Sequence, residues 1–213
     1  MTKPAFDYGV YLVTDRPALG GRELVEVVAA AVAGGVGMVQ LREKTVGTRE
    51  FVELARAVLA VVRPRGVPLL VNDRLDVALA VGADGVHVGQ DDMQPADVRA
   101  LLGPGAIVGL SVTGEEETRA AAGLPVDYLG AGPVFATATK KDAGAPQGIE
   151  GLRRMTALAE VPVVAIGAIT AQNAASVLET GVAGLAVVSA ICSAADPCAA
   201  ARELSDIVRA RRS

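Results

Sequence analysis

Tyr8-Gly9-Val10-Tyr11-Leu12-Val13-Thr14, followed by Asp15-Arg16-Pro17, decides the fold. The first stretch is apolar and β-branched, the composition of a short buried strand. An open doubly wound sheet would follow such a strand with a glycine-rich turn, so that backbone could approach a dinucleotide's phosphates. The turn here has no glycine, which favours a closed barrel.

Working outward, the same strand-then-helix rhythm continues without interruption. Strands are expected at Tyr8 to Thr14, Val36 to Leu41, Pro68 to Asn72, Asp84 to Val88, Ala106 to Ser111, Asp127 to Gly130, Pro162 to Gly167 and Gly184 to Ser189. Helices are expected at Arg22 to Ala33, Thr48 to Arg63, Asp73 to Val81, Pro95 to Leu102, Glu115 to Ala122, Ile149 to Ala159, Ala171 to Glu179 and Pro197 to Arg211. Each unit takes about 27 residues, close to the minimum for a right-handed βαβ step. The chain therefore reads as an α/β protein, a single-domain (β/α)8 TIM barrel over residues 1–213. Its length is at the short end of the roughly 200 to 400 residues of such barrels. Gly34-Gly35, Gly82, Gly123 and Gly181 each precede a strand, where a helix C-cap calls for positive φ.

Composition narrows the function. Aromatic residues make up 3% and the net charge is −4, which argues against a nucleic-acid surface with its basic face or stacking platforms. A small anion remains within reach of a few focused cations. Cys192 and Cys198 fit neither a redox nor a zinc spacing, no apolar run reaches the roughly 20 residues of a membrane span, and the start lacks a signal peptide's apolar core. These features point to a soluble protein of a reduced compartment, the cytoplasm. Whether it is a monomer or a homo-oligomer is left open.

In a barrel, strand residues face alternately inward and outward. Met38, Gln40 and Arg42 share one parity, as do Leu70 and Asn72, Gly85, His87 and Gly89, Gly109 and Ser111, and Ala165 and Gly167. Polar and small residues are thus expected inside, the polar ones at strand ends, where barrel active sites lie.

Gln40-Leu41-Arg42-Glu43-Lys44 leaves the second strand with two cations suited to phosphate oxygens; a solvated loop would carry the same letters. Asp73, after Asn72, and Asp92, in Gln90-Asp91-Asp92, lie at adjacent strand ends and could share one Mg2+, which takes one or two carboxylates plus substrate phosphates. Helix N-capping is their alternative, and the better reading for Asp91. The loop from Gly132 to Lys141 is long for a βα turn. Gly167-Ala168-Ile169-Thr170 and Val188-Ser189-Ala190 follow strands seven and eight, where such barrels bind phosphate on backbone N–H groups. His87, the single histidine, suits a hydrogen-bonded core position better than a general base.

Taken together, Gln40-Leu41-Arg42-Glu43-Lys44, Asn72-Asp73, His87-Val88-Gly89-Gln90-Asp91-Asp92, Gly132-Pro133-Val134-Phe135, Thr137-Ala138-Thr139-Lys140 and Val188-Ser189-Ala190-Ile191 resemble the thiamine-phosphate synthase family in order and spacing over nearly the whole chain. The resemblance implies an enzyme that joins a pyrimidine-methyl diphosphate to a thiazole phosphate and releases pyrophosphate. It implies that Gln40, Arg42, Lys44, Asn72, Ser111 and Lys140 hold the pyrimidine diphosphate, with Arg42, Lys44, Ser111 and Lys140 acting in catalysis. It further implies Asp73 and Asp92 as Mg2+ ligands, and Thr137, Ala138, Thr139, Gly167, Val188 and Ser189 on the thiazole phosphate. Leu41 and Glu43, inside the same motif, join the binding candidates. Two positions depart from the family's usual wording: Ala136 replaces a common proline and Ala168 a second glycine. The alternatives, a thiazole tautomerase of the related barrel type, which binds the thiazole phosphate but has no diphosphate to expel, and a non-catalytic sensor of thiamine precursors, would each bind ligand without releasing pyrophosphate.

Overall fold

The strands close edge to edge because each is too short and too buried to leave an edge in water. The computed structural model describes residues 6–137 and 144–212. In it β1 (Val10–Val13), β2 (Met38–Leu41), β3 (Leu69–Asn72), β4 (Gly85–Val88), β5 (Ile107–Val112), β6 (Tyr128–Ala131), β7 (Val163–Ile166) and β8 (Gly184–Val187) pair in parallel and in sequence order. β8 pairs back onto β1, with Tyr11 opposite Ala186. The connecting helices are α1 (Leu24–Ala33), α2 (Thr48–Val62), α3 (Leu75–Val81), α4 (Pro95–Leu102), α5 (Glu115–Ala120), α6 (Gly148–Leu158), α7 (Ala171–Leu178), α8 (Ser189–Cys192) and α9 (Pro197–Arg212). The expected (β/α)8 barrel is the observed fold.

Most strands are shorter than expected because tilted strands of a closed barrel are staggered, leaving their first residues paired on one side only. Pro68, Asp84 and Pro162 each give a carbonyl to the neighbouring strand in this way, to Val39, Ile107 and Leu129. α3 begins at Leu75 rather than Asp73, since Asp73 sits at φ 59° and Arg74 is also non-helical. The short helix α8 is an element the sequence reading lacks.

Two packed layers follow from strand parity. Outward residues such as Leu12, Val39, Leu41, Val71, Val86 and Leu129 form one continuous core with the apolar faces of the helices. In α2 that face is Phe51, Ala55, Val58, Leu59 and Val62, a helical stripe whose large side chains each stabilise the fold by about 1.5 to 3 kcal/mol when fully buried. Inward, Tyr11, Met38, Leu70, Ile107, Tyr128, Val164 and Ala186 fill the barrel.

β7 corrects the expected parity. Ala165 belongs to the outer layer, while Val164 and Ile166 point inward. The barrel needs bulk on that side, and smallness alone misassigned the pair. Gly34 is the second correction. Gly35, Gly82, Gly123 and Gly181 have positive φ as expected, but Gly34 is right-handed at φ −80°. Its constraint is close approach, since a Cβ there would lie 2.3 Å from the Cys198 carbonyl oxygen of α9.

Candidate active site

A cavity of about 300 Å3 lies beyond the carboxyl ends of the strands. The candidates Gln40, Arg42, Lys44, Asn72, Asp73, Asp92, Ser111, Thr137, Gly167, Val188 and Ser189 all line it. Leu41 and Glu43 do not. Leu41 has outward parity and is fully buried in the helix-facing core, and the buried Glu43 carboxylate accepts a hydrogen bond from Arg16 Nε at 3.0 Å. Ala138, Thr139 and Lys140 lie outside the described residues.

Arg42 is held rather than free in solvent. Arg42 Nη1 donates to Asp15 Oδ1 at 2.7 Å, and the Arg42 backbone N–H donates to Thr14 Oγ1 at 3.0 Å. Asp15 is buried, so Arg42 offers its remaining N–H donors in a fixed orientation. Thr14 and Asp15 also line the cavity; they come from the very turn that decided the fold, yet sequence reasoning passed over them as site residues. Their polarity at a strand end was the available signal.

Lys44 Nζ lies 2.5 Å from Asp73 Oδ2. Asp73 projects from a left-handed residue, φ 59°, a sparsely populated conformation for a non-glycine residue. The Asp73 side chain does not cap α3, which has no side-chain cap. Asp92 is tied back by the Gly89 N–H, which donates to Oδ2 at 2.7 Å. Partial burial pushes the Asp92 carboxyl above its usual range and the neighbouring Asp73 adds to this, while the Gly89 N–H and the Lys44 charge pull the other way. Two carboxylates sharing one spot repel unless a proton or a cation lies between them. Among the described residues no group of three or more His, Cys, Asp or Glu could hold a metal. Two carboxylates beside an open cavity instead fit a hard divalent cation completed by ligand phosphate oxygens and water.

The cavity floor is a chain of polar groups. Gln40 Nε2 donates to the Tyr11 hydroxyl at 2.7 Å, and that hydroxyl lies 2.8 Å from the Tyr128 hydroxyl. Tyr128 in turn lies 2.8 Å from His87 Nδ1, and His87 Nε2 lies 2.8 Å from Ser111 Oγ. Burial raises the pKa of both phenols, so both stay protonated. Glycine makes the room: a Cβ on Gly109 would lie 2.2 Å from Tyr128 Cζ, and one on Gly130 2.9 Å from His87 Cε1. His87 is therefore the hydrogen-bonded interior residue that its parity suggested. Tyr11 and Tyr128 went unread, although each has the inward parity of its strand.

On the opposite side, Gly167 (φ 116°) and Ala168 (φ 49°) turn sharply after β7. The loop after β6 is stitched to this turn, with Val134 N–H on the Ile166 carbonyl at 2.9 Å and Phe135 N–H on the Gly167 carbonyl at 3.2 Å. Val188 and Ser189 lead into α8 beside them. The cavity thus has a charged side, built by β2 to β4, and a backbone-lined side, built by β7 and β8.

A closed eight-stranded α/β barrel whose cavity at the strand ends has a charged side and a backbone-lined side defines the class: a barrel enzyme acting on phosphorylated small molecules. Residues 10–191 match the family described as thiamine monophosphate synthase, and the chain belongs to that family. It is 72% identical over 210 residues to thiamine-phosphate synthase of Solidesulfovibrio magneticus, covering 99% of this chain and 100% of that one. It is 51% identical over 207 residues to the enzyme of the same name from Azorhizobium caulinodans, covering 97% and 98%. The solved thiamine phosphate pyrophosphorylase from Pyrococcus furiosus superposes with a TM-score of 0.88 at 40% identity, covering 97% of this chain and 98% of that one.

Proposed function

We propose that the chain joins a 4-amino-2-methylpyrimidine carrying a methylene diphosphate to a thiazole phosphate, giving thiamine monophosphate and pyrophosphate. The observation that carries this reading is the convergence of Arg42, Lys44, Asp73 and Asp92 on one side of a cavity whose other side is backbone at Gly167, Val188 and Ser189. A phosphate-binding isomerase would have no use for the first group.

In this reading the C–O bond of the pyrimidine methylene breaks first, and the diphosphate leaves with the electron pair. Negative charge grows on the leaving group, so Arg42, Lys44 and Lys140 bind it more tightly in the transition state than in the ground state. Asn72 and Ser111 fix the pyrimidine portion with Gln40. Asp73 and Asp92 would hold Mg2+, whose bound form supplies further charge neutralisation on the diphosphate oxygens. Thr137, Ala138, Thr139, Gly167, Val188 and Ser189 hold the thiazole phosphate, keeping the ring nitrogen in line with the methylene carbon. Attack by that nitrogen forms the new C–N bond; a carboxylate on the thiazole would then leave as carbon dioxide. No strong base takes part.

No described helix is long and apolar enough to cross a membrane. A cytoplasmic location forms part of this proposal, supported by Cys192 and Cys198, which are free thiols.

The test is pyrophosphate release by purified protein with both substrates and Mg2+, each omitted in turn. Release should require all three, and chelation should abolish it reversibly. Release of none with the full mixture would sink the reading.

A further inference from the structure

The polar chain on the cavity floor has two self-consistent proton arrangements, and the donor at its first link decides between them. Gln40 Nε2 donates to Tyr11. In the arrangement that this donor favours, the Tyr11 hydroxyl, already an acceptor, would direct its own proton to Tyr128, 2.8 Å away, and Tyr128 its proton to His87 Nδ1, also 2.8 Å away. A neutral His87 would then carry its proton on Nε2 and donate to Ser111 Oγ, 2.8 Å away. The Ser111 hydroxyl proton is left for the cavity. At the other end the Gln40 side-chain oxygen accepts no hydrogen bond from the described residues, yet no fully buried side-chain oxygen or nitrogen among them lacks a partner. That oxygen is therefore accessible, and Gln40 lines the cavity. Reversing the amide reverses every proton in the chain, turning the Gln40 end into a donor and the Ser111 end into an acceptor.

We propose that this chain is proton-ordered from Gln40 to Ser111 and presets an acceptor at Gln40 Oε1 and a donor at Ser111 Oγ. That pair selects a ring with an exocyclic amino group and an unprotonated ring nitrogen over its oxo counterpart, whose carbonyl and N–H invert the pattern. Tyr11, Tyr128 and His87 are positioning residues: they act through Gln40 and Ser111. The ligand half of this inference rests on the pyrimidine reading above, while the proton order does not.

Because His87 is the single histidine, 15N-histidine labelling of the intact protein gives one imidazole to observe. The expected wild-type tautomer has the proton on Nε2. Tyr11→Phe cuts the link to Gln40 and Tyr128→Phe removes the donor to Nδ1, so each should admit both tautomers. Calorimetric binding of 4-amino-2-methyl-5-hydroxymethylpyrimidine monophosphate and of its 4-oxo counterpart reads the consequence. Wild type should prefer the amino ring by at least about tenfold, the worth of one correctly paired neutral hydrogen bond. Either phenylalanine variant should lose most of that preference, and Tyr11→Phe keeps the test available if Tyr128→Phe fails to fold. A wild-type proton on Nδ1 would overturn the proposed order. Full discrimination retained by a folded Tyr11→Phe would overturn the positioning role. Binding of neither ring, with the tautomer as expected, would overturn the pyrimidine reading and leave the proton order supported.

Discussion

At the scale of single residues the cavity is built from groups held where they would not rest by themselves. Asp73 takes a left-handed backbone and its carboxylate lies beside that of Asp92, an arrangement that costs free energy and that the Lys44 ammonium, 2.5 Å from Asp73, offsets in part. Asp91 also lines the cavity but is exposed and carries no such strain. Asp92→Ala should therefore lower kcat/KM on the order of 100-fold or more, the loss of several kcal/mol of charge stabilisation. Asp91→Ala should stay within about twofold, as surface changes do. Equal losses in steady-state assays would show that the metal assignment is wrong. Ala168, at φ 49°, holds a conformation that costs an L-residue roughly 1 to 2 kcal/mol and glycine almost nothing. Ala168→Gly should stabilise the protein by about 0.5 to 1 kcal/mol once the added freedom of the unfolded chain is subtracted. An unchanged or lower urea midpoint would contradict this. The departure from a second glycine thus falls on backbone strain, a quantity that a residue letter does not display.

Among the elements, helices were the most legible because their periodicity spans several turns. α4 begins and ends at the expected residues, Pro95 and Leu102, where a proline at the first position and a following glycine mark both ends. β7 was misread because alternation over so short a strand gives two parities, and residue size picked the wrong one. Helix contacts were illegible altogether. Gly34 reads as a C-cap, yet what it provides is a surface against which α9 can lie, since an added Cβ would lie 2.3 Å from the Cys198 oxygen and 2.7 Å from Ala201 Cβ. Gly34→Ala should destabilise by about 1 to 3 kcal/mol through overpacking, despite the gain in helix propensity. A thermal melt showing stabilisation would contradict that contact.

At the scale of the whole molecule, closure of the barrel brings the site together, because its residues come from every strand end and are far apart in sequence. The closing seam is β8 against β1, and it depends on Gly184, where a Cβ would lie 1.9 Å from the Tyr8 carbonyl oxygen. Backbone cannot yield as a flexible side chain does. Gly184→Ala should spread the seam and cost at least about 3 kcal/mol, lowering stability and activity together; retention of either would show that the seam is looser than described. By itself the sequence determined the barrel, the order of its units, and the residue types at its strand ends, because strand and helix periods and the glycine-free turn after the first strand are local properties. Only the tertiary structure decided that Glu43 is buried against Arg16, that Asp15 holds Arg42, and that Gln40, Tyr11, Tyr128, His87 and Ser111 form one hydrogen-bonded chain. Those relations join different strands, and strand stagger and barrel curvature, which fix them, leave no local mark on the sequence.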